Sequence, residues 1–371
     1  MPSENEDSPE SPPTSLQVVV HVSQGRQPEA EPTSPLTPGR PFPNDWNVGD
    51  VGSLDFDVWR VVATVGARAA LPLVATEVFR AQRLLAPQGG SDSEGLVGRA
   101  AFRSWIDSVE RGYMDKPYHN SVHGCDVMVT AHSYLINSGF LGEAQLARHA
   151  NGGSSDDLTQ QGSNREWQLL HLALVIAGAS HDIGHLGVMN PFLKAISHPL
   201  ALANPGVNGV LEVMHAAVTQ RLLNGNSSGS YDYSDASSSS SISSSGTNGS
   251  STSSGSGGLL DQLSVAEARW VRSAVNDLVL ATDMSLQRDF LEKWAARRAA
   301  AAPLELECHG PDDNANHNRL WLGKLILKAA DLSNPTKSVP NYLTWTGRII
   351  SEFYCQVLRR VHVPSACYLL K

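Results

Sequence analysis

Basic charge is scarce in this chain. Lys and Arg number 28 against 37 Asp and Glu, giving a formal net charge of −9. Residues 1–50 hold eight acidic and two basic side chains, so −6 belongs to them and −3 to the rest. A nearly neutral body without a basic stripe argues against nucleic acid as the main partner. An anionic ligand could still bind where metal ions supply positive charge locally. Cysteine is equally sparse: Cys125, Cys308, Cys355 and Cys367 show no CxxC spacing, and reduced thiols in a cytoplasmic protein are the default reading. No basic segment leads into an apolar stretch at the N-terminus, so no signal peptide is read there. The longest apolar run, Leu169 to Ala179, contains His171 and falls short of the ~20 residues a membrane helix needs. It is predicted as a buried helix. Alternating strand patterns with hairpin turns are also missing, which leaves an all-α fold class.

Hydrophobic residues, at 41%, suffice for a sizeable core. Ten of the 21 prolines fall within the first 43 residues among Ser, Thr and Glu. Such a segment buries too little apolar surface to offset its ordering entropy, so residues 1–45 read as a disordered tail. At that length it is too short for a folded sensor of the usual size. From Asp55 onward the period becomes helical, with Val58, Val61, Val62, Val65, Leu71, Val74, Val78 and Phe79. Further helices are predicted around 97–112, 118–137, 141–150, 166–180, 209–223, 260–282, 286–301, 319–331 and 341–358. Two polar inserts interrupt them. Residues 151–164 read as an exposed loop, and residues 224–258, with 17 serines among them, as a flexible surface excursion. An excursion of that length is tolerable because loop-closure entropy grows only logarithmically.

Four residues carry a metal-ligating pattern: His123, the adjacent pair His181-Asp182, and Asp331 far downstream. An imidazole is a monodentate ligand, whereas a carboxylate has two oxygens and can bridge. The pattern suits two ions ~3.5–4 Å apart that clamp the attacking and leaving oxygens of a phosphate ester. Pro117 is placed as the first helical residue, which sets His119 and His123 one turn apart on a shared helical face. One of them could ligate while the other stays free; with an ordinary pKa near 6.5 it could act as general acid. His181-Asp182 follows the apolar helix 166–180, and His185 lies one turn further, positioned to orient a ligand. Asp331 ends another apolar helix with only Lys328 as a neighbouring cation, so its burial calls for a metal or a solvent-filled site.

The stretches Tyr118-His119-Asn120-Ser121-Val122-His123-Gly124-Cys125-Asp126-Val127, His181-Asp182-Ile183-Gly184-His185-Leu186-Gly187 and Ala330-Asp331-Leu332-Ser333-Asn334-Pro335-Thr336-Lys337 resemble the signature blocks of class I 3′,5′-cyclic-nucleotide phosphodiesterases. Leu54-Asp55-Phe56-Asp57-Val58 resembles that family's opening W-x-F-D-x-F, and Leu280-Ala281-Thr282-Asp283-Met284-Ser285 its L-A-T-D-M-S helix. The resemblance covers about residues 54–356, in the family's order. It implies a catalytic domain over 46–356 that hydrolyses cyclic AMP or cyclic GMP to the 5′-monophosphate and so terminates a second-messenger signal. It implies zinc held by His123, His181, Asp182 and Asp331, with Asp182 bridging to magnesium or manganese. Coordination that lowers the pKa of water from 15.7 to about 7 would supply the nucleophile. His119 would protonate the departing 3′ oxygen. Tyr118 and Asn334 would line the nucleotide pocket beside the metal-bound Asp182 and Asp331, with Met284 a candidate for its wall. For Tyr118 and Met284 ordinary packing is the alternative, and for Asp283 a structural acceptor role. Substrate is the partner implied; no membrane span is expected, and a homodimer is compatible with the resemblance while the oligomeric state stays open.

Two departures qualify that expectation. Where the family shows Y-N-D…L-E-N-H-H, this chain has Ala203-Asn204-Pro205…Leu211-Glu212-Val213-Met214-His215. Glu212 and His215 remain, but one Asp and one His do not, and losing such supporting partners costs on the order of 10–100-fold. From Val357 to Lys371 the sequence departs from the expected continuation, which would carry the glutamine and aromatic side chains that hold the base. Two rival readings follow: a non-catalytic regulatory protein that keeps the metal cage, and an HD-type phosphohydrolase acting on another nucleotide.

Overall fold

In the computed structural model of the protein, residues 50–86, 95–138, 158–225, 257–299 and 313–362 are described. All of them fall within one contact unit, Asn47–Lys371. The described residues are helical, and their one strand-type pairing is an isolated bridge between Leu85 and Val97. The expected disordered tail, the helix at 141–150 and the body of the serine-rich excursion lie outside the described residues. The edges of that excursion are described. Leu259 N–H donates to Leu223 O at 3.2 Å, so the chain departs and returns at one place.

The helices are α1 (Val58–Val65), α2 (Ala67–Ala81), α3 (Arg99–Gly112), α4 (Ser121–Asn137), α5 (Leu158–Ser180), α6 (Asn190–Ala195), α7 (Pro199–Ala203), α8 (Val210–Leu223), α9 (Val265–Leu280), α10 (Gln287–Ala299), α11 (Asp313–Asp331) and α12 (Val339–His362). Two short 3₁₀ turns, Met284–Leu286 and Asn334–Thr336, precede α10 and α12. Among the described residues no helix is long and apolar enough to cross a membrane.

The core forms around α4 and α5. Fourteen of the seventeen residues of α4 are buried, and the predicted apolar run Leu169–Ala179 is buried throughout within α5. α4 packs on α2, α5 and α11, and α5 also packs on α9. A helix buried on all sides needs no amphipathic stripe, and its period is correspondingly weak. α9 begins with a capping box in which Ser264 and Glu267 satisfy each other's backbone N–H. Met214, at the position of the absent histidine, is 2% exposed in an apolar cluster with Val188, Leu193, Leu200 and Leu211.

Three local expectations need correction. Residues 158–164 are the first turns of α5 and not part of a loop. Second, α4 begins at Ser121 and not at Pro117, because the Asn120 side chain accepts the N–H groups of Val122 (2.9 Å) and His123 (3.3 Å). Asparagine in extended backbone is a strong helix N-cap, whereas Pro117 lies in the preceding loop. Third, His119 therefore stands before the cap and shares no helical face with His123. α11 and α12 are also longer than predicted, starting at Asp313 and ending at His362.

Candidate metal centre

The end of α4 nearest its N-cap, the turn after α5 and the last residue of α11 meet in one place. His123 comes from the first turn of α4. His181 and Asp182 follow Ser180, where α5 stops, and the positive φ of Gly184 (75°) and Gly187 (69°) turns the chain back. Asp331 is the terminal residue of α11. His123 Nε2 lies 3.2 Å from Asp331 Oδ1 and 3.4 Å from Asp182 Oδ2. His181 Nε2 lies 3.2 Å from Asp182 Oδ2 and 3.4 Å from Asp331 Oδ1. The four predicted ligands thus form one constellation, in which each imidazole faces both carboxylates.

The donor set fits a divalent ion. His181 Nδ1 is 3.0 Å from Gly178 O; a carbonyl only accepts, so Nδ1 carries a proton and Nε2 is the ring atom left to take a proton or a metal ion between the carboxylates. That buried Nε2 has no hydrogen-bond partner of its own. Carbonyl-anchored histidines of this kind are typical of metal sites. Burial alone pushes His181 down, but Asp182 and Asp331 outweigh it and hold the imidazolium well above its ordinary value. Burial likewise opposes ionisation of Asp182, yet the His181 and His119 charges keep it well below the usual carboxylate range.

His185 and His215 approach the other side of Asp182, and the three form a second group that could hold an ion. His215 Nδ1 donates to Ile183 O at 2.7 Å and its Nε2 lies 3.6 Å from Asp182 Oδ1. Burial lowers His215 to about 4, so it faces Asp182 as neutral imidazole. His185 accepts Gly187 N–H at 3.0 Å, and burial together with the neighbouring His119 keeps it well below its ordinary value. His185 lies beside Asp182, and His215 stands there despite the altered 203–215 stretch. Glu212 accepts from Asn190 Nδ2 at 2.9 Å, and burial raises its carboxyl.

His119 reaches the centre from its loop, with Nε2 4.0 Å from Asp182 Oδ2 and its ring stacked on His185 at 3.8 Å. What holds it there is Glu352 of α12, whose Oε1 meets His119 Nδ1. Glu352 has no part in the sequence reading. A signal for it exists: it lies seven residues after Trp345, which is 1% exposed, and so shares the buried face of α12. Asn334 Nδ2 donates to the Tyr118 hydroxyl, which brings the two expected pocket residues together. Met284 is 53% exposed on its turn. Asp283 accepts Ser285 N–H at 2.7 Å and caps that turn, a structural role. Lys328 donates to Ala281 O and Asp283 O, while the side-chain contacts to Asp331 come from His123 and His181.

Fold and site together define an all-α protein with a carboxylate–imidazole cage suited to divalent metal. Residues 118–362 match the 3′5′-cyclic nucleotide phosphodiesterase family, and the chain belongs to it. It is 29% identical over 248 residues to the dual 3′,5′-cyclic-AMP and -GMP phosphodiesterase beta of Plasmodium falciparum, covering 67% of this chain and 17% of that protein. Against the mouse 3′,5′-cyclic-AMP phosphodiesterase 4C it is 28% identical over 308 residues, covering 83% of this chain and 36% of that one. The chain therefore spans a minor part of the curated relatives it matches. The fold is similar to that of LmjPDEB1 in complex with IBMX (TM-score 0.55, 22% identity, 85% of this chain and 76% of that one). It is also similar to the phosphodiesterase domain of the RhoPDE fusion protein from Salpingoeca rosetta (TM-score 0.56, 21% identity, 86% and 78%).

Proposed function

We propose that residues 46–356 are a catalytic domain that hydrolyses 3′,5′-cyclic nucleotides to 5′-monophosphates, in the cytoplasm, and so ends a second-messenger signal. The observation that carries this reading is the meeting of His123, His181, Asp182 and Asp331 beside a His119–Glu352 pair. Zinc would be held by those four ligands, and magnesium or manganese on the Asp182 side that His185 and His215 face. Bound there, the ions would neutralise phosphate charge and acidify water. The protein's own part is positioning and proton transfer. Water adds to phosphorus and gives up one proton to solvent, the P–O3′ bond breaks, and the leaving 3′ oxygen takes the proton of His119 Nε2, which solvent then restores. Glu352, meeting Nδ1, keeps the Nε2 edge toward the phosphate. General acids placed in this way contribute on the order of 10²–10⁴-fold. Tyr118 and Asn334, already bonded to each other, would meet the nucleoside.

The test is hydrolysis of cyclic AMP and cyclic GMP by the purified chain with magnesium, beside Asp331→Ala, with zinc quantified on the same samples. Turnover that disappears in the variant together with zinc is the expected result. Retained turnover in Asp331→Ala, or a zinc-loaded wild type that cleaves neither nucleotide, overturns the assignment.

A further inference from the structure

The signature stretches contain two charged residues to which the sequence analysis gives no role, Asp126 and Lys337. They meet in the interior, with Lys337 Nζ 2.9 Å from Asp126 Oδ1 and 2.7 Å from Thr130 Oγ1. The side chains are 3% and 8% exposed. His123, Asp126 and Thr130 are spaced by three and four residues, which puts them in one stripe along α4. That stripe faces the segment from Asp331 to Lys337. At one end of the segment Asp331 meets His123 at 3.2 Å. At the other end Lys337 meets Asp126 and Thr130. Between them Asn334 donates to the Tyr118 hydroxyl. Lys337 is also tied directly to Asn334, because its backbone N–H donates to Asn334 O at 3.2 Å.

We infer that the Asp126–Lys337 pair is a positioning device for substrate recognition: it fixes the Asn334–Tyr118 pair at the nucleotide pocket without taking part in metal binding. The inference rests on the proposed cyclic-nucleotide activity for its kinetic readout, but the device itself is a statement about this turn. The 3₁₀ turn Asn334–Thr336 has no buried residue of its own, so side-chain anchors at its two ends set its place. The Asp331 anchor depends on the metal cluster. Lys337 is the anchor that lies outside that cluster.

Removing one member of a buried pair leaves an uncompensated charge and endangers folding, whereas replacing both by apolar residues of similar size is often neutral. Asp126→Leu/Lys337→Met is therefore the main variant, with Lys337→Met alone beside it. The full chain is assayed for KM and kcat with cyclic AMP and cyclic GMP, with zinc content measured in parallel. The expected outcome is a raised KM, by roughly 10-fold for about 1.4 kcal/mol of lost binding, with kcat and zinc unchanged. That split marks lost substrate binding in place of lost chemistry. An unchanged KM in the double variant overturns the inference, and so does a parallel loss of kcat and zinc. A second readout needs no turnover. With selective ¹⁵N-asparagine labelling, Asn334→Ala identifies the Asn334 side-chain amide signal. In the double variant it should move to the position of a free amide, and an unmoved signal overturns the inference. A wild type without turnover would sink the proposed function alone, leaving that signal to decide the device.

Discussion

Glu352 holds the Tyr118–His119 stretch at three points. One carboxylate oxygen meets the imidazole Nδ1, and the other accepts the backbone N–H groups of Tyr118 at 3.0 Å and His119 at 3.1 Å. The two residues are 233 positions apart in sequence. Burial would raise the Glu352 carboxyl, but the hydrogen bond and charge of His119 outweigh it and hold it below its ordinary 4.5. A depressed carboxylate stabilises the fold above the ordinary value, and that contribution is lost as pH falls below it.

Glu352→Gln keeps the shape of the side chain and removes the charge. Its kcat should fall on the order of 10–100-fold, with KM and zinc content near wild type. Steady-state kinetics with metal analysis checks this. An unchanged kcat would remove Glu352 from the mechanism.

Gly178→Ala tests the contact between the two central helices. A Cβ there would lie 2.8 Å from Met128 Cα and 3.2 Å from Met128 N, both backbone atoms of α4. α4 and α5 would have to separate, carrying His123 away from His181. Overpacking of this kind costs about 1–3 kcal/mol, which for a domain of this size lowers Tm by roughly 2–12 °C. Thermal unfolding and zinc retention measure it, and both should decline.

Glu110 supplies a pH test at a carboxyl outside the candidate ligand set. It accepts from the Ser121 hydroxyl at 3.0 Å, and burial pushes its carboxyl from 4.5 up to about 7. A raised acid contributes fully below its unfolded value and loses that contribution as pH rises through the folded value. The wild type should therefore lose stability between about pH 4.5 and 7 from this group, on the order of 3 kcal/mol at most. Glu110→Gln should show a smaller decline over that interval in denaturant titrations. Parallel curves for the two proteins would refute it.

Metal binding should release protons. Opposing carboxylates raise His123 and His181, despite burial, in the metal-free cluster, and a ligating imidazole must be neutral. Zinc should then displace about one to two protons near neutral pH. Affinity should weaken as pH falls. Calorimetry in buffers of different ionisation enthalpy counts the protons, and zero release would contradict this charge arrangement.

The helical class was legible in the sequence because the apolar period is a local property, and the Leu169–Ala179 run reads as buried without any partner in view. The four candidate ligands were legible only as a set of motifs in order along the chain, and the structure brings their side chains to within 3.2–3.4 Å of one another. The start of α4 was misread, since Pro117 and Asn120 both carry helix-start signals and only the backbone geometry shows which side chain caps. Helix α5 begins earlier than its polar composition suggests, because residues 158–164 carry no apolar period of their own to announce it.

What the sequence determined by itself was residue chemistry and local periodicity: which side chains can ligate, which can carry a proton, and which stretches form helices. What only the tertiary structure decided was the pairing of distant charges. His123 faces Asp331 across 208 residues, and Lys337 reaches Asp126 across 211. Glu352 lies on an outwardly ordinary helix until α12 docks and brings it to His119. The physical reason is that a buried charge is tolerable only with its partner, and which distant residue becomes that partner is chosen by helix packing.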